Sequence, residues 1–450
     1  MGKYFGTDGV RAVAGEFPLT DDFICKLGYC ALMELNQYAE KLNLKKQVVI
    51  ARDTRLSGPS ILKQLSDGIR AAGADVLDMG ISTTPSVADA VKQTGSVCGV
   101  VISASHNPPE FNGIKFFTSS GTKLPEELED KIEVAIENTT HVPQRIGKYR
   151  AAPELVVGYK NFLISTVDAD LLKGTKVVLD CANGASHQIA PDVFRALGME
   201  VTVMADKNEG ALINEGVGAL HTEKMQRLVK ETGAYVGFSF DGDADRVIAS
   251  DETGRQLDGE YIIASCALAL KQEGKLPGDK AVMTVMTNLG CINFLKERGV
   301  QMELTPVGDK YVARELAEQG LAIGGETSGH IIFSKFANTG DGILSALQFL
   351  QFAKKSGLSV SQFAYQWKKY PCELRALKVK EKPELESLPG FMEGLSELEA
   401  QLRGKGRILV RYSGTEPKLR ILVEGADEEV VKQVAKDTET LYLEKTGSCK

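Results

Sequence analysis

The sequence has 450 residues and a formal net charge of −7, which provides enough chain for about three domains with sizeable buried cores. The acidic balance and the scatter of its basic residues argue against a nucleic-acid-binding protein. Its eight cysteines include no C-x-x-C pair, and neither a membrane-length apolar stretch nor a signal-peptide pattern is present, so we expect a cytoplasmic protein with reduced thiols.

Strands alternate with helices along most of the chain. Apolar runs and helical periodicity predict, in order, strand 48–51, helix 60–72, strand 75–78, helix 86–92 and strand 99–104. The pattern repeats with strands 176–180, 201–204 and 234–240, and again with strands 281–287, 302–307 and 321–323. After Pro371 it changes to a strand, a helix, paired strands and a final helix over 428–443.

This order predicts an α/β fold with three βαβ-type domains and mixed sheets, followed by a smaller C-terminal α+β domain. We place the domains at residues 1–152, 153–255, 256–368 and 369–450. A polar motif follows a predicted strand in each of them, and these motifs carry the functional argument.

The first motif is SASHNPP at 103–109. Its two prolines prevent a regular element from continuing, so Ser105 is predicted on a surface loop, where reactive groups are commonly presented. A serine is a weak nucleophile unless a base or a metal activates it. His106 adds little, because adjacent side chains on an extended chain point apart, and plain turn chemistry is the alternative. Asn112-Gly113 is predicted to form a tight turn into the next strand.

The second motif is DGDADR at 241–246, in which Asp241, Asp243 and Asp245 follow a buried strand at alternate positions. Converging carboxylates favour Mg²⁺ or a similar hard cation. A calcium EF-hand begins in the same way, but it needs glycine where this loop has Arg246, and it needs flanking helices rather than strands. The remaining alternative is a solvated acidic turn.

The third motif is GGETSGH at 324–330. Its glycines allow the backbone to approach a ligand closely. Glu326 and Ser328 could hydrogen-bond sugar hydroxyls, and His330 could move a proton near neutral pH. A glycine-rich strand end with a structural histidine is the alternative.

The fourth motif is RYSGTEPKLR at 411–420. Two guanidinium groups flank a Ser-Gly-Thr loop whose hydroxyl and N–H groups can donate hydrogen bonds, which is a composition suited to a phosphate. The segment is also predicted as a hairpin between strands 407–411 and 419–423, and the two interpretations are compatible.

Together the motifs resemble one family. In order, FGTDGVR (5–11), SASHNP (103–108), DGDADR (241–246), GGETSGH (324–330) and RYSGTEP (411–417) are similar to the signatures of the α-D-phosphohexomutases. The resemblance covers nearly the whole chain. It implies four domains around a central cleft, a hexose or hexosamine phosphate substrate and a sugar 1,6-bisphosphate intermediate.

The resemblance also implies site residues and a Mg²⁺ cofactor. Ser105 would carry the phosphoryl group and, with Asp241, Asp243 and Asp245, hold Mg²⁺. Arg11, Lys115 and His330 would assist proton and charge movement. The residues expected to bind the substrate are Glu326, Ser328, Arg411, Ser413, Gly414, Thr415 and Arg420.

The substrate is less determined than the family. Segments 180–185, 285–290 and 307–312 resemble the branch that acts on glucosamine phosphates, although Ala12 and 214–221 depart from its pattern. Mannose or glucose phosphate is the alternative. A haloacid-dehalogenase-type phosphatase, with the first Asp of D-x-D as nucleophile, and a non-catalytic sugar-phosphate sensor are rival classes.

Overall fold

A computed structural model describes residues 2–6, 8–413 and 417–447. The chain groups into a larger unit, through Met286 and again over Val300–Tyr365, and a smaller unit, Thr287–Gly299 with the chain from Gln366 onward. Among the described residues, no helix combines the length and apolar character needed to cross a membrane.

The first sheet of the larger unit has the strand order β1-β5-β4-β2-β3-β6. Strands β2, β3, β4 and β6 run parallel, whereas β5 is antiparallel to both β4 and β1. The strands are β1 (Val10–Val13), β2 (Lys45–Arg52), β3 (Asp75–Ile81), β4 (Ser96–Ile102), β5 (Phe111–Thr118) and β6 (Tyr149–Ala151). The helices that accompany them are α1 (Asp21–Lys41), α2 (Gly58–Ala71), α3 (Thr84–Thr94) and α4 (Glu126–Asn138).

The second sheet has the order β11-β10-β9-β7-β8, with β7 parallel to β8 and β9, and with β10 antiparallel to its neighbours. Its strands are β7 (Lys176–Asp180), β8 (Glu200–Met204), β9 (Val236–Phe240), β10 (Val247–Asp251) and β11 (Gln256–Leu257). The helices in this part of the chain are α5 (Glu154–Ser165), α6 (Ala169–Leu172), α7 (Ser186–Ala196), α8 (Glu223–Thr232) and α9 (Gly259–Gln272).

The third sheet has the order β13-β12-β14-β15, in which only the β14 to β15 pairing is antiparallel among the described pairings. Its strands are β12 (Lys280–Thr284), β13 (Gln301–Thr305), β14 (Ile323–Gly325) and β15 (Ile331–Phe333). The helices are α10 (Leu289–Glu297), which belongs to the smaller unit, and α11 (Asp309–Gln319), α12 (Gly342–Ser356) and α13 (Val360–Ala364).

The C-terminal part of the smaller unit is an antiparallel sheet of order β16-β18-β17 with two further helices. Its elements are β16 (Cys372–Lys378), α14 (Phe391–Ala400), β17 (Gly406–Tyr412), β18 (Lys418–Gly425) and α15 (Glu428–Lys445). Helix α15 begins at a side-chain cap, since the Asp427 carboxylate accepts the N–H groups of Glu429 and Val430. The predicted fold class, three mixed α/β sheets and a smaller α+β domain, is confirmed.

One turn prediction is wrong. Asn112 and Gly113 lie within strand β5, opposite Ala12 and Arg11 of β1, and do not form a tight turn. The reversal of chain direction occurs earlier, in loop 103–110. Glycine is needed at 113 for another reason, because a Cβ there would lie 2.7 Å from the Ser103 carbonyl oxygen.

Candidate active site

The same structural device presents three of the motifs. In each sheet of the larger unit, a parallel strand turns back into an antiparallel neighbour, and a motif forms the connecting loop. Loop 103–110 joins β4 to β5, loop 241–246 joins β9 to β10, and loop 326–330 joins β14 to β15. Buried apolar strands therefore bring polar residues to strand ends, where the sequence analysis expected ligand-binding groups.

Ser105 meets the aspartate loop directly. Its Oγ donates to Asp241 Oδ2 at 2.6 Å, and its backbone has a φ of 52°, in the left-handed region. A Cβ at Gly242 would lie 2.5 Å from the Ser105 carbonyl oxygen, so glycine is needed there for the two loops to touch. Ser105 is 2% exposed, which corrects the prediction of a surface hydroxyl.

The left-handed conformation also changes the interpretation of His106. Its Nδ1 lies 3.3 Å from Ser105 Oγ, although side chains of adjacent residues on an extended strand would point apart. Burial, with a contribution from Arg246 and Arg11, lowers the pKa of His106 to about 4. The imidazole beside the serine is therefore neutral at physiological pH.

The three aspartates form a buried cluster whose ligand atoms lie within 4.8 Å of one another. Burial and the charges of Asp245 and Asp243 raise the pKa of Asp241 well above its usual range. The Oδ1 atoms of Asp243 and Asp245 are buried and accept no hydrogen bond from the described residues. Crowded carboxylates with unused oxygens fit a divalent cation, because such oxygens are costly to bury without a partner.

Lys115 lies against this cluster. Its Nζ is 3.0 Å from Asp243 Oδ2, 3.6 Å from Asp245 Oδ2 and 2.7 Å from Asp8 Oδ2. Burial alone would lower the pKa of Lys115, but the three carboxylates raise it well above its usual value. Burial would raise the pKa of Asp243, but the charge of Lys115 lowers it to about 2. The three carboxylates therefore favour the charged form of Lys115.

Arg11 also contacts the serine loop. It donates to Asn107 Oδ1 at 3.2 Å and to Asp8 Oδ2 at 3.1 Å. The structure therefore brings two of the predicted catalytic residues, Arg11 and Lys115, to one carboxylate, that of Asp8. Asp8 belongs to the first family-like string but was not on the predicted site.

The GGETSGH loop contributes a second set of polar side chains. Glu326 Oε1 accepts the Gly308 N–H at 3.0 Å, and the Ser328 hydroxyl is buried without a hydrogen-bond partner in the described chain. His330 Nε2 lies 3.2 Å from Asp309 Oδ2. His330 also pairs with Arg246 in an isolated β-bridge, which joins this loop to the aspartate loop.

A chain of charges connects the loops of the first and third sheets. Lys123 Nζ lies 2.5 Å from Asp8 Oδ1 and 2.5 Å from Asp309 Oδ2. Although burial lowers the pKa of Lys123, the two carboxylates raise it well above the usual value. Through Asp309 the chain reaches His330. These three residues, Lys123, Asp309 and His330, also line a cavity of about 1060 Å³. Ser105 and the aspartate cluster do not line this cavity.

The fourth motif lies in the smaller unit and forms the predicted hairpin between β17 and β18. Arg411 and Arg420 are directly opposite each other in the antiparallel register. Burial, and then the charge of Arg420, lower the pKa of Arg411. Opposed like charges destabilise a strand pair unless an anion compensates them. Ser413 is buried at the end of β17, whereas Gly414 and Thr415 lie outside the described residues.

Several residues of this site were not predicted. They are Asp8, Asp53, Arg55, Thr84, Lys123, Asn214, Arg246 and Asp309. Thr84 shows why, because its Oγ1 donates to Asp243 Oδ2 at 2.6 Å from a position 159 residues away in sequence. For four of them a signal existed, since each lies inside a segment that the sequence analysis singled out: Asp8, Asn214, Arg246 and Asp309.

Comparison with known proteins identifies the family of this chain. Models of the four phosphoglucomutase/phosphomannomutase domains match the chain: domain I at residues 2–142, domain II at 158–254, domain III at 258–370 and the C-terminal domain at 374–441. The chain belongs to the phosphoglucomutase/phosphomannomutase family. The three motif loops of the larger unit fall in domains I, II and III, and the arginine hairpin falls in the C-terminal domain.

Relatives of this family member are similar over their full length. Phosphoglucosamine mutase of Alkaliphilus metalliredigens is 41% identical, with 99% of this chain and 100% of the relative covered. Phosphoglucosamine mutase of Caldicellulosiruptor bescii is 43% identical, with 98% of each covered. A crystal structure of a phosphoglucomutase/phosphomannomutase family protein from Burkholderia thailandensis has the same fold, with a TM-score of 0.81, 22% identity and coverage of 99% of this chain and 98% of that one.

Proposed function

We propose that this family member is a phosphoglucosamine mutase, which interconverts glucosamine 6-phosphate and glucosamine 1-phosphate through a phosphorylated Ser105. The observation that carries the proposal is the 2.6 Å contact between Ser105 Oγ and Asp241 in a cluster of buried carboxylates. The full-length similarity to phosphoglucosamine mutases supports the choice of sugar.

In the first half-reaction, the phosphoryl group moves from Ser105 to a free hydroxyl of the sugar phosphate. The bond from phosphorus to Ser105 Oγ breaks as the bond to the sugar oxygen forms. The proton that the sugar hydroxyl loses balances the proton that Ser105 Oγ gains. The neutral imidazole of His106, 3.3 Å from Ser105 Oγ, is placed to relay it.

Positive charge is the main catalytic requirement, because the transferred phosphoryl group carries its negative charge on several oxygens. Lys115 supplies a fixed ammonium group at the aspartate cluster. Arg11 supplies a guanidinium group at the serine loop. Mg²⁺ held by Asp241, Asp243 and Asp245 would neutralise further charge on the transferred group.

The second half-reaction returns the other phosphoryl group of the 1,6-bisphosphate to Ser105. The sugar must therefore be bound in two orientations. Glu326 and Ser328 can accept and donate hydrogen bonds to its hydroxyls in both. We assign binding of the phosphate that is not reacting to the hairpin of Arg411, Ser413, Gly414, Thr415 and Arg420.

The rival classes explain the arrangement less well. In a dehalogenase-type phosphatase the first aspartate is the nucleophile, but here the Asp241 carboxylate accepts a hydrogen bond from a serine hydroxyl. A sugar-phosphate sensor needs no serine held against a carboxylate cluster. Family membership excludes the phosphatase fold and favours the mutase over the sensor.

A panel of sugar phosphates tests the substrate. We expect conversion of glucosamine 6-phosphate, followed by ³¹P NMR, to have a kcat/KM at least about tenfold above that for mannose 6-phosphate or glucose 6-phosphate, equivalent to about 1.4 kcal/mol of discrimination. Equal or faster conversion of mannose or glucose 6-phosphate would contradict the assignment and favour a phosphomannomutase or phosphoglucomutase.

The arginine hairpin provides a second prediction. We expect Arg420→Ala to lower kcat/KM by about 10²-fold, because a charge-assisted contact worth about 3 kcal/mol is lost. The bisphosphate should also escape more often during reorientation. Added glucosamine 1,6-bisphosphate should then partly restore turnover in a steady-state assay.

Arg375→Ala is the matched control. Arg375 lies on β16 next to Ala376, the residue opposite Arg420, so side-chain alternation directs it to the other face of the sheet. It pairs with Glu439 at 2.8 Å and Glu373 at 3.2 Å. We expect its removal to leave kcat/KM within about twofold of the unmutated value. Unchanged kinetics in Arg420→Ala would show that the hairpin binds no phosphate.

A further inference from the structure

Arg55 is a completely buried arginine that the proposed mechanism does not use. It is 0% exposed, and it follows strand β2 in the first sheet. A buried guanidinium group is costly unless its charge is paired and its donors are satisfied. The groups that accept hydrogen bonds from Arg55 therefore indicate its role.

The charge of Arg55 is paired locally. Its Nε donates to Asp53 Oδ2 at 2.9 Å, and its backbone N–H donates to Asp53 Oδ1 at 2.9 Å. The same Asp53 Oδ2 accepts the Ser103 hydroxyl at 2.6 Å, and Ser103 Oγ in turn accepts the N–H of Ser105 at 2.9 Å. One end of the serine loop is thus connected to Arg55 through Asp53.

The remaining donors of Arg55 hold the loop by its carbonyl oxygens. Nη2 donates to Ser105 O at 3.0 Å and to Asn107 O at 2.8 Å. Nη1 donates to Phe111 O at 2.9 Å and also to Pro108 O. A planar fork can bind several fixed oxygens at once, whereas the point charge of a lysine cannot.

A second clamp reaches the same atoms from the connection between β8 and α8. Asn214 Nδ2 donates to Ser105 O at 2.8 Å and to Asn107 O at 3.1 Å. Asn214 therefore shares both carbonyl oxygens with Arg55. The Ser105 loop is fixed from two sides at its backbone, and its hydroxyl remains directed at Asp241.

We infer that Arg55 is a positioning residue for phosphoryl transfer at Ser105. The inference rests on the proposed function. Ser105 has a φ of 52°, which is unfavourable for a residue with a side chain and persists only where the surroundings impose it. Relaxing that angle would rotate Oγ away from the aspartate cluster. The bonds to Arg55 hold the loop in place through transfer in both directions.

The test compares rates of Ser105 phosphorylation. Unmutated protein and Arg55→Lys are first dephosphorylated and then mixed with glucosamine 1,6-bisphosphate, and the Ser105 peptide is followed by mass spectrometry in quenched samples. Because a misplacement of about 1 Å costs about 10²-fold, we expect Arg55→Lys to slow phosphorylation and kcat by about 10- to 10²-fold. KM for glucosamine 6-phosphate should stay within about twofold, since Arg55 is not proposed to touch the sugar.

Two further variants keep the test decisive. Asn214→Gly removes the second clamp without backbone strain, because glycine tolerates the φ of 59° at this position, and it should slow phosphorylation in the same way even if Arg55→Lys does not fold. Ile69→Ala, at a buried position of helix α2 in the same domain, lowers stability without touching the loop and should leave the rate unchanged.

The outcomes separate the inference from the proposed function. If unmutated protein accepts no phosphate at Ser105, the proposed function fails. If it does, but Arg55→Lys and Asn214→Gly react at the unmutated rate, the positioning role is wrong. Equal slowing in Ile69→Ala would also overturn it, since the effect would then follow from lost stability.

Discussion

Ser105→Ala is expected to abolish turnover of glucosamine 6-phosphate, with kcat reduced by at least about 10³-fold, because no other group can take the place of a covalent phosphoryl carrier. The lost hydroxyl donates to Asp241 in a buried site, so we also expect a loss of about 1 kcal/mol in stability, measured by thermal unfolding. Residual activity within about tenfold of the unmutated protein would exclude Ser105 as the carrier.

Ser66→Ala is the matched control for this variant. Ser66 is a buried serine of the same domain, on helix α2, and its hydroxyl has no hydrogen-bond partner in the part of the chain that the structure describes. Ser66→Ala removes the same hydroxyl group as Ser105→Ala, but outside the proposed site. We expect unmutated activity, which would show that the effect at Ser105 is chemical.

Asp243→Asn is expected to weaken Mg²⁺ binding and to lower turnover by at least about 10²-fold, because it removes one of three charges that would hold the ion. The structure sharpens this expectation. Asp243 Oδ2 accepts from Thr84 and Lys115, and Oδ1 is the atom without a partner. An asparagine keeps its carbonyl oxygen toward these donors, so its NH₂ group replaces the free oxygen.

Titration of metal-stripped protein with Mg²⁺, by calorimetry and by activity, measures both effects. Asp251→Asn is the control, since it removes a buried carboxylate charge at the far end of β10 and should leave Mg²⁺ binding unchanged. Full turnover of the metal-stripped, unmutated protein without added Mg²⁺ would show that the aspartate cluster is not a metal site.

Several predicted strands, such as β4 and β9, are buried at every residue and are therefore mostly apolar in sequence. Strand β7 begins and ends at the predicted residues, 176 and 180. Helix α1, which is 21 residues long, was not predicted. The turn predicted at Asn112-Gly113 was wrong because β5 pairs with both β4 and β1, and this pairing outweighs the local turn propensity of the two residues.

The candidate site was likewise predicted only in part. The loops could be predicted because each motif is contiguous and its chemistry is legible from residue type and spacing. The supporting contacts could not, because Thr84 and Asn214 reach the loops from elements far away in sequence. The exposure of Ser105 was also mispredicted, because proline and asparagine predict a loop but not what packs over it.

The central claim is that Ser105 carries the phosphoryl group in every turnover, and label exchange tests it most directly. The phosphorylated protein is incubated with glucosamine 6-phosphate whose phosphate carries ¹⁸O, and the Ser105 peptide is analysed by mass spectrometry as product forms. We predict that Ser105 phosphate acquires the ¹⁸O label as turnover proceeds. Product formation with unlabelled Ser105, or with the label on another residue, would contradict the mechanism.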